Sequence, residues 1–202
     1  MVIEDDRLFE LAYGAGQISP VSAVDPGLIY DIDENDYLKY ICGWSKFNET
    51  TVLSITRDAS FNCSKVNPLE NNWSLNLPTF SIPYASEVPF FKVYTRTVTN
   101  VGEEMRTTYK AVVAAPKGIK IKVFPRFLAF NKKRQKLSYT IGILGILSGN
   151  STVHSASVVW TNGKYHVRSP IVVFPKFDRH TVEETILDPR NQDQSSSILK
   201  MM

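Results

Sequence analysis

The side chains of this 202-residue sequence that carry acid–base, nucleophilic or metal-binding chemistry are few and scattered. Its three histidines are His154 near a strand start, His166 at a strand opening and His180 in the polar C-terminal stretch. None has a serine, cysteine or carboxylate at a spacing that fixes a base beside a nucleophile, so a surface or edge-strand role is the expectation for each. No Gly-x-Ser-x-Gly elbow occurs. A metal centre needs several ligating groups at short spacing. Only Asp31, Asp33, Glu34 and Asp36 approach that pattern. A calcium site is one reading of the cluster; helix capping and solvation are the favoured one. The Gly14-Ala15-Gly16 run lacks the Gly-Lys-Ser/Thr of a phosphate loop and reads as tight turns. No catalytic residue, no cofactor and no metal ligand is assigned.

Cys42 and Cys63 are the only cysteines. The polar segment between them suits an oxidised pair better than a redox motif or a metal site, two buried free thiols being the alternative. The Asn-x-Ser/Thr glycosylation pattern occurs at Asn48, Asn62, Asn72 and Asn150, with Cys63 inside the second. The net charge of +3 offers no strong field for nucleic acid or an anionic membrane, and neither is an expected partner. Lys132, Lys133, Arg134 and Lys136 have no interleaved aromatics and read as a solvated turn. Arg96 and Arg168 stand in strands beside apolar residues, where pairing with carboxylates is the expectation. No apolar run approaches the roughly 18 residues of a membrane-spanning helix. The first ten residues have neither a basic start nor the apolar stretch of a secretory signal, whereas the glycosylation pattern points to an oxidising compartment. A secreted origin without a signal means either a fragment or an incomplete gene model.

The elements that must position these groups fall into regions. Asp33 reads as an N-cap with Asp36 three residues on, opening a helix over DENDYLKYICG that Gly43 ends and whose Tyr37, Leu38 and Ile41 share a face. Asp25-Pro26-Gly27 reads as a type II turn. A short helix is possible around Thr51 to Ile55. The stretch NNWSLNLPTFSIP, with Pro78 and Pro83 and little periodicity, reads as an extended connector. From Phe91 the sequence alternates with a period of two through FKVYTRTVTNVG, and runs of the same kind follow: Tyr109 to Ala115, Ile119 to Phe124, Leu137 to Leu147, Val153 to Trp160 and Ser169 to Phe174. Turn residues separate them, including Asn162-Gly163 read as a type I′ hairpin. Six or seven short strands over about 90 residues predict an antiparallel β-sandwich. Both cysteines fall outside it, so the sandwich is expected to resemble fibronectin type III domains rather than antibody domains. The expected layout is 1–78, a linker at 79–87, the sandwich at 88–176 and a disordered tail at 177–202.

The run GAGQISPVSAVDPGLIYD from Gly14 to Asp31 resembles the segment GAGHVNPxxAxxPGLVYD of plant subtilisin-like serine proteases. Gly14, Gly16, Pro20, Ala23, Pro26, Gly27, Leu28, Tyr30 and Asp31 match; Gln17 and Ser19 replace the usual His and Asn. DYLKYIC from Asp36 to Cys42 is similar to the family's DYxxFLC. RTVTNVG from Arg96 to Gly102, then Tyr109, Pro116, Gly118, Pro125, Trp160, Gly163 and His166 to Ile171, follow the order of its fibronectin-like domain.

The resemblance implies a mainly β chain: a fibronectin type III-like sandwich preceded by the C-terminal remnant of an α/β subtilisin-type catalytic domain. It implies that the Asp, His and Ser of the triad lie upstream of Gly14, so the chain alone is expected to be inactive. The implied partner is the catalytic domain of the parent enzyme, and the implied location of that parent is the apoplast or the vacuole. An independent secreted binding module, docking a protein through sandwich loops or edges, is the alternative.

Overall fold

The structure, a computed structural model, describes residues 14–43, 47–58, 61–69, 74–149 and 153–176. The expected tail, together with Asn72, Asn150 and His180, lies outside the described residues. Two β-sheets face each other. The first has the order β1 (Leu28–Ile29), β3 (Phe90–Asn100), β7 (Lys136–Gly145), β5 (Ile119–Phe124). The second runs β2 (Phe80–Tyr84), β9 (His166–Pro175), β8 (His154–Thr161), β4 (Thr107–Ala114), β6 (Phe127–Phe130). The mainly β sandwich is thus the observed architecture. Its core is filled by Trp160, Tyr109, Tyr139, Phe80, Phe130 and the branched residues between them, all under 2% exposed.

Residues 79–87 are not a linker. Phe80, Ile82 and Tyr84 are buried and alternate with exposed Ser81 and Pro83, and the strand pairs in parallel with β9, Phe80 opposite Ile171. Two prolines hide this alternation in the sequence, but Pro83 is tolerated because β2 is the outermost strand. This pairing also makes the sandwich not wholly antiparallel. β6 is a second strand that the turn residues around it conceal. The Asn162-Gly163 hairpin differs from type I′: only Gly163 has a positive φ, and Thr161 pairs with His166 across a four-residue loop. Asn162 Oδ1 organises it by accepting from the N–H groups of Lys164 and Tyr165.

Ahead of the sandwich lie three short helices: α1 (Pro20–Val24), α2 (Glu34–Gly43) and α3 (Glu49–Thr56). Asp33 and Asp36 exchange side-chain to backbone hydrogen bonds, the reciprocal box read from the sequence. Asn48 caps α3 by accepting from Thr51 N at 2.8 Å. Cys42 and Cys63 are joined as a disulfide that ties the end of α2 to a 3₁₀ turn at Cys63–Lys65.

Candidate functional site

The residues from Asp25 to Asp31 and the strand that carries RTVTNVG meet in a seam, and most of the polar chemistry of the described residues is concentrated there. Gly27 sits at φ +78°, and its carbonyl accepts from the N–H groups of Val101 and Gly102 at 2.9 and 3.0 Å. Leu28 N donates to Pro26 O, so the turn closes over three residues rather than in the four-residue type II form. A side chain at Gly27 would collide with Tyr165, whose Cγ lies 2.5 Å from the position of a Cβ. The Tyr165 hydroxyl donates to Asp25 Oδ2 at 2.6 Å and accepts from Glu103 N at 3.2 Å. Lys164 completes the lock with ion pairs to Asp25 and Glu103. Burial raises the pKa of the neighbouring Tyr109 hydroxyl well above its usual value, and that buried hydroxyl has no hydrogen-bond partner among the described residues.

One turn of strand further on, Leu28 and Ile29 pair with Asn100 and Thr99. Tyr30 then enters the core, its hydroxyl 2.8 Å from both Tyr139 Oη and Ser169 Oγ, and burial pushes its pKa up. Asp31 accepts from the Thr99 hydroxyl and pairs with Lys136 at 3.2 Å. The Thr99 bond foremost, with Lys136 adding to it, holds that carboxyl below the usual range. Asn76 acts as a peptide mimic on the strand edge beyond β1. It accepts from Thr97 N, donates to Thr97 O, both at 2.8 Å, and donates to Asp31 O at 3.1 Å.

Arg96 is only 3% exposed, but its partners are not carboxylates. Nε donates to Leu77 O at 2.8 Å, Nη1 donates to Thr95 O at 3.0 Å, and the guanidinium lies 4.9 Å from the Phe80 ring centre and 5.4 Å from that of Tyr94. The planar, delocalised cation is satisfied by carbonyl oxygens and ring faces, which a sequence pattern does not reveal. Arg168 likewise donates to a carbonyl, that of Ala15, at 3.3 Å.

The other candidates are spread apart. His154 is half-buried, its imidazole pKa lowered by burial, its ring beside Tyr84; His166 is exposed at the start of β9. Among the described residues neither ring is hydrogen-bonded to a hydroxyl or a carboxylate. Of the acidic cluster, Asp33 and Asp36 bond to each other's backbone and Asp31 to Thr99, which is scaffold work. Asn48 and Asn62 are exposed, and each uses Oδ1 to accept a backbone N–H, of Thr51 and Ser64 respectively. The geometry at Asp25 to Asp31 is thus a seam of hydrogen bonds and ion pairs that joins this stretch to the sandwich.

Comparison with known proteins gives the class of the seam's larger half: residues 74–173 match the fibronectin type-III domain. The rest of the match carries the identity further. The chain is 38% identical over 166 residues to subtilisin-like protease SBT4.14 of Arabidopsis thaliana, which covers 82% of this chain and 22% of the relative. It is 40% identical over 166 residues to subtilisin-like protease SBT4.3 of the same plant, again over 82% of this chain and 22% of the relative. The chain belongs with the C-terminal, fibronectin-bearing region of the plant subtilisin-like proteases. It spans about a fifth of the length of these relatives.

Proposed function

We propose that the chain is the non-catalytic C-terminal part of a subtilisin-like serine endopeptidase and that it stabilises or shapes the catalytic domain, which supplies the Asp-His-Ser machinery. One observation carries this reading. α1 has no buried residue, and Ile18, Val21 and Val24, on and beside it, are 86–87% exposed, although the segment they belong to is held to the sandwich by the Gly27 seam. Apolar side chains presented in this way, from a segment anchored on one side only, call for a partner surface on the other. α2 adds to it: the face of Tyr37, Leu38 and Ile41 expected to pack is nowhere fully buried, and Tyr37 is 48% exposed. The parent is a secreted or vacuolar plant enzyme in this reading, and exposed Asn48 and Asn62 are its candidate glycan acceptors among the described residues.

The test replaces the matching region of SBT4.14 with residues 14–176 of this chain. The chimera is expected to be labelled by a fluorophosphonate serine probe, and the isolated chain is not. Val21→Asp with Val24→Asp in the chimera lowers both yield and labelling. Labelling of the isolated chain, or a doubly substituted chimera as stable and as active as its parent, would remove the basis of the proposal.

A further inference from the structure

The small net charge conceals a segregation. From Met105 to Phe177 the sequence holds thirteen Lys and Arg and not one Asp or Glu. Two of those cations, Lys136 and Lys164, are neutralised by Asp31, Asp25 and Glu103 of the preceding segment. Others converge on a cleft of about 670 Å³ at the side of the sandwich, between β4 and β5, lined by Lys110, Val112, Val113, Lys122, Phe124 and Arg126 among others. No ion pair is formed by these three cations among the described residues.

The cleft lies between two open strand edges. β5 is the outer strand of its sheet. Gly118 O accepts from Ile146 N, and the register pairs Lys120 with Leu144 and Lys122 with Gly142, so these residues spend their backbone groups on β7. By the alternation of an antiparallel ladder, Ile121 and Val123 turn their N–H and C=O groups outward, away from β7, while the Ile119 N–H is taken by Pro116 O at 3.3 Å. On the opposite wall, β6 pairs with β4 only from Thr107 to Lys110, with one more bond from Ala111 N to Arg126 O. Val113, two residues on, faces the same side with no strand beside it. The walls are apolar and accessible: Val112 is 48%, Val113 38% and Phe124 79% exposed.

We propose that this cleft binds an extended peptide segment by strand addition to the free edge of β5, and that the segment alternates apolar and acidic side chains. The apolar residues face inward with Ile121, Val123 and Val113. The acidic ones stand beside Lys120 and Lys122, with Arg126 and Lys110 across the mouth. Lysines on an edge strand ordinarily oppose pairing with other edges, and here they convert that protection into selection for a carboxylate-bearing strand. The outward N–H and C=O groups of Ile121 and Val123 favour a peptide, which can complete a ladder with them, over a carbohydrate or nucleic-acid polyanion, which cannot. The proposal is independent of the catalytic-domain reading, because the edge it uses, β5, is at the opposite end of its sheet from β1, the strand of the seam.

The experiment measures anisotropy of a fluorescein-labelled peptide, (Glu-Val)4, against the full chain at low and physiological salt. Saturable binding is expected, weakened about tenfold or more by Lys122→Glu or Arg126→Glu. Lys132→Glu with Lys133→Glu, in the turn before β7, leaves it unchanged. The same peptide N-methylated on alternate valines keeps its charges but cannot complete the ladder and loses binding. Equal binding of the N-methylated peptide, or equal weakening by the turn substitutions, reduces the effect to diffuse charge and overturns the proposal. So does the absence of binding to a chain whose unfolding transition is intact, or competition by polygalacturonate that responds equally to both sets of substitutions.

Discussion

Gly27→Ala isolates what the Pro-Gly loop does for the fold. Two costs add at this position. The first is the positive φ of +78°, which an L side chain adopts at a cost of about 1 kcal/mol. The second is steric. A Cβ would stand 2.5 Å from Tyr165 Cγ, 2.8 Å from Tyr165 Cβ and 2.8 Å from Tyr109 Oη. The near atoms of Tyr165 are the root of a buried ring, so relief requires the ring to move, at about 1–3 kcal/mol for overpacking. Moving it also weakens the bond from its hydroxyl to Asp25, a charge-assisted bond worth at most about 1.5 kcal/mol in this partly exposed setting. The sum is about 2–5.5 kcal/mol. Gly163→Ala serves as the control. Its φ is +95° but nothing lies within 4 Å of the added atom, so it carries the backbone cost alone, about 1 kcal/mol. Urea unfolding of the two variants gives the difference directly. Hydrogen exchange then locates it, since the amides of Val101 and Gly102 donate to Gly27 O and lose protection only if the loop leaves the sandwich. If Gly27→Ala costs no more than Gly163→Ala, with both amides still protected, the loop is not held by the packing described.

Three further outcomes follow from the same geometry. Arg96→Lys loses the simultaneous reach to Leu77 O, Thr95 O and two ring faces, and lowers stability by about 2–3 kcal/mol in urea melts; a change under about 0.5 kcal/mol would show that the guanidinium is replaceable by any buried cation. Asp31 has a depressed pKa in the folded chain, so its contribution is full above the unfolded value near pH 4 and is lost as pH falls through the lower folded value. Asp31→Asn therefore flattens the acid limb of the stability curve between about pH 5 and 2, and parallel curves for the two proteins count against the assignment. Reduction of Cys42 to Cys63 reopens a loop with a sequence separation of 21, an effect of about 3 kcal/mol by chain entropy. It is expected to unprotect the amides of α2 while those of β3 and β7 stay protected. Loss of protection across both regions would mean that the helices and the sandwich unfold as one unit.

What was legible in the sequence depended on whether a signal was local. The period of two from Phe91 placed β3, and it did so within one residue because alternation is a property of the strand itself. Which face turns inward was not legible. Phe91 and Val93 are 66% and 44% exposed, while Tyr94, Arg96 and Val98 fill the core, an inversion of what hydrophobicity alone favours. Arg96 is tolerated inside only because Leu77, nineteen residues away, offers a carbonyl at the right place. The same non-locality hid β2, whose partner is the last strand, and β1, whose two residues acquire meaning only against Thr99 and Asn100. Asp33 and Asp36, three residues apart, were read as a cap because both partners lie in the same stretch.

The seam also explains why the boundary between the leading segment and the sandwich is not where composition changes. A domain boundary falls where few contacts cross it, yet the Asp25 to Asp31 stretch contributes a strand, a buried tyrosine and two ionic ties to the sandwich. Before it, α1 contributes nothing to the core. The sandwich thus takes up the chain from Asp25 to Asp31, one residue ahead of the Pro-Gly pair, before α2 and α3 leave it again. α1, whose apolar residues are exposed, is joined directly to a loop whose Gly27 is buried and hydrogen-bonded to Val101 and Gly102. If α1 packs against a catalytic domain as proposed, Gly27, Tyr165 and Asp25 set its geometry as well as the stability of the sandwich. Substitution at Gly27 should therefore reduce the labelling of the chimera by more than its loss of global stability accounts for, whereas Arg96→Lys should reduce it only in proportion.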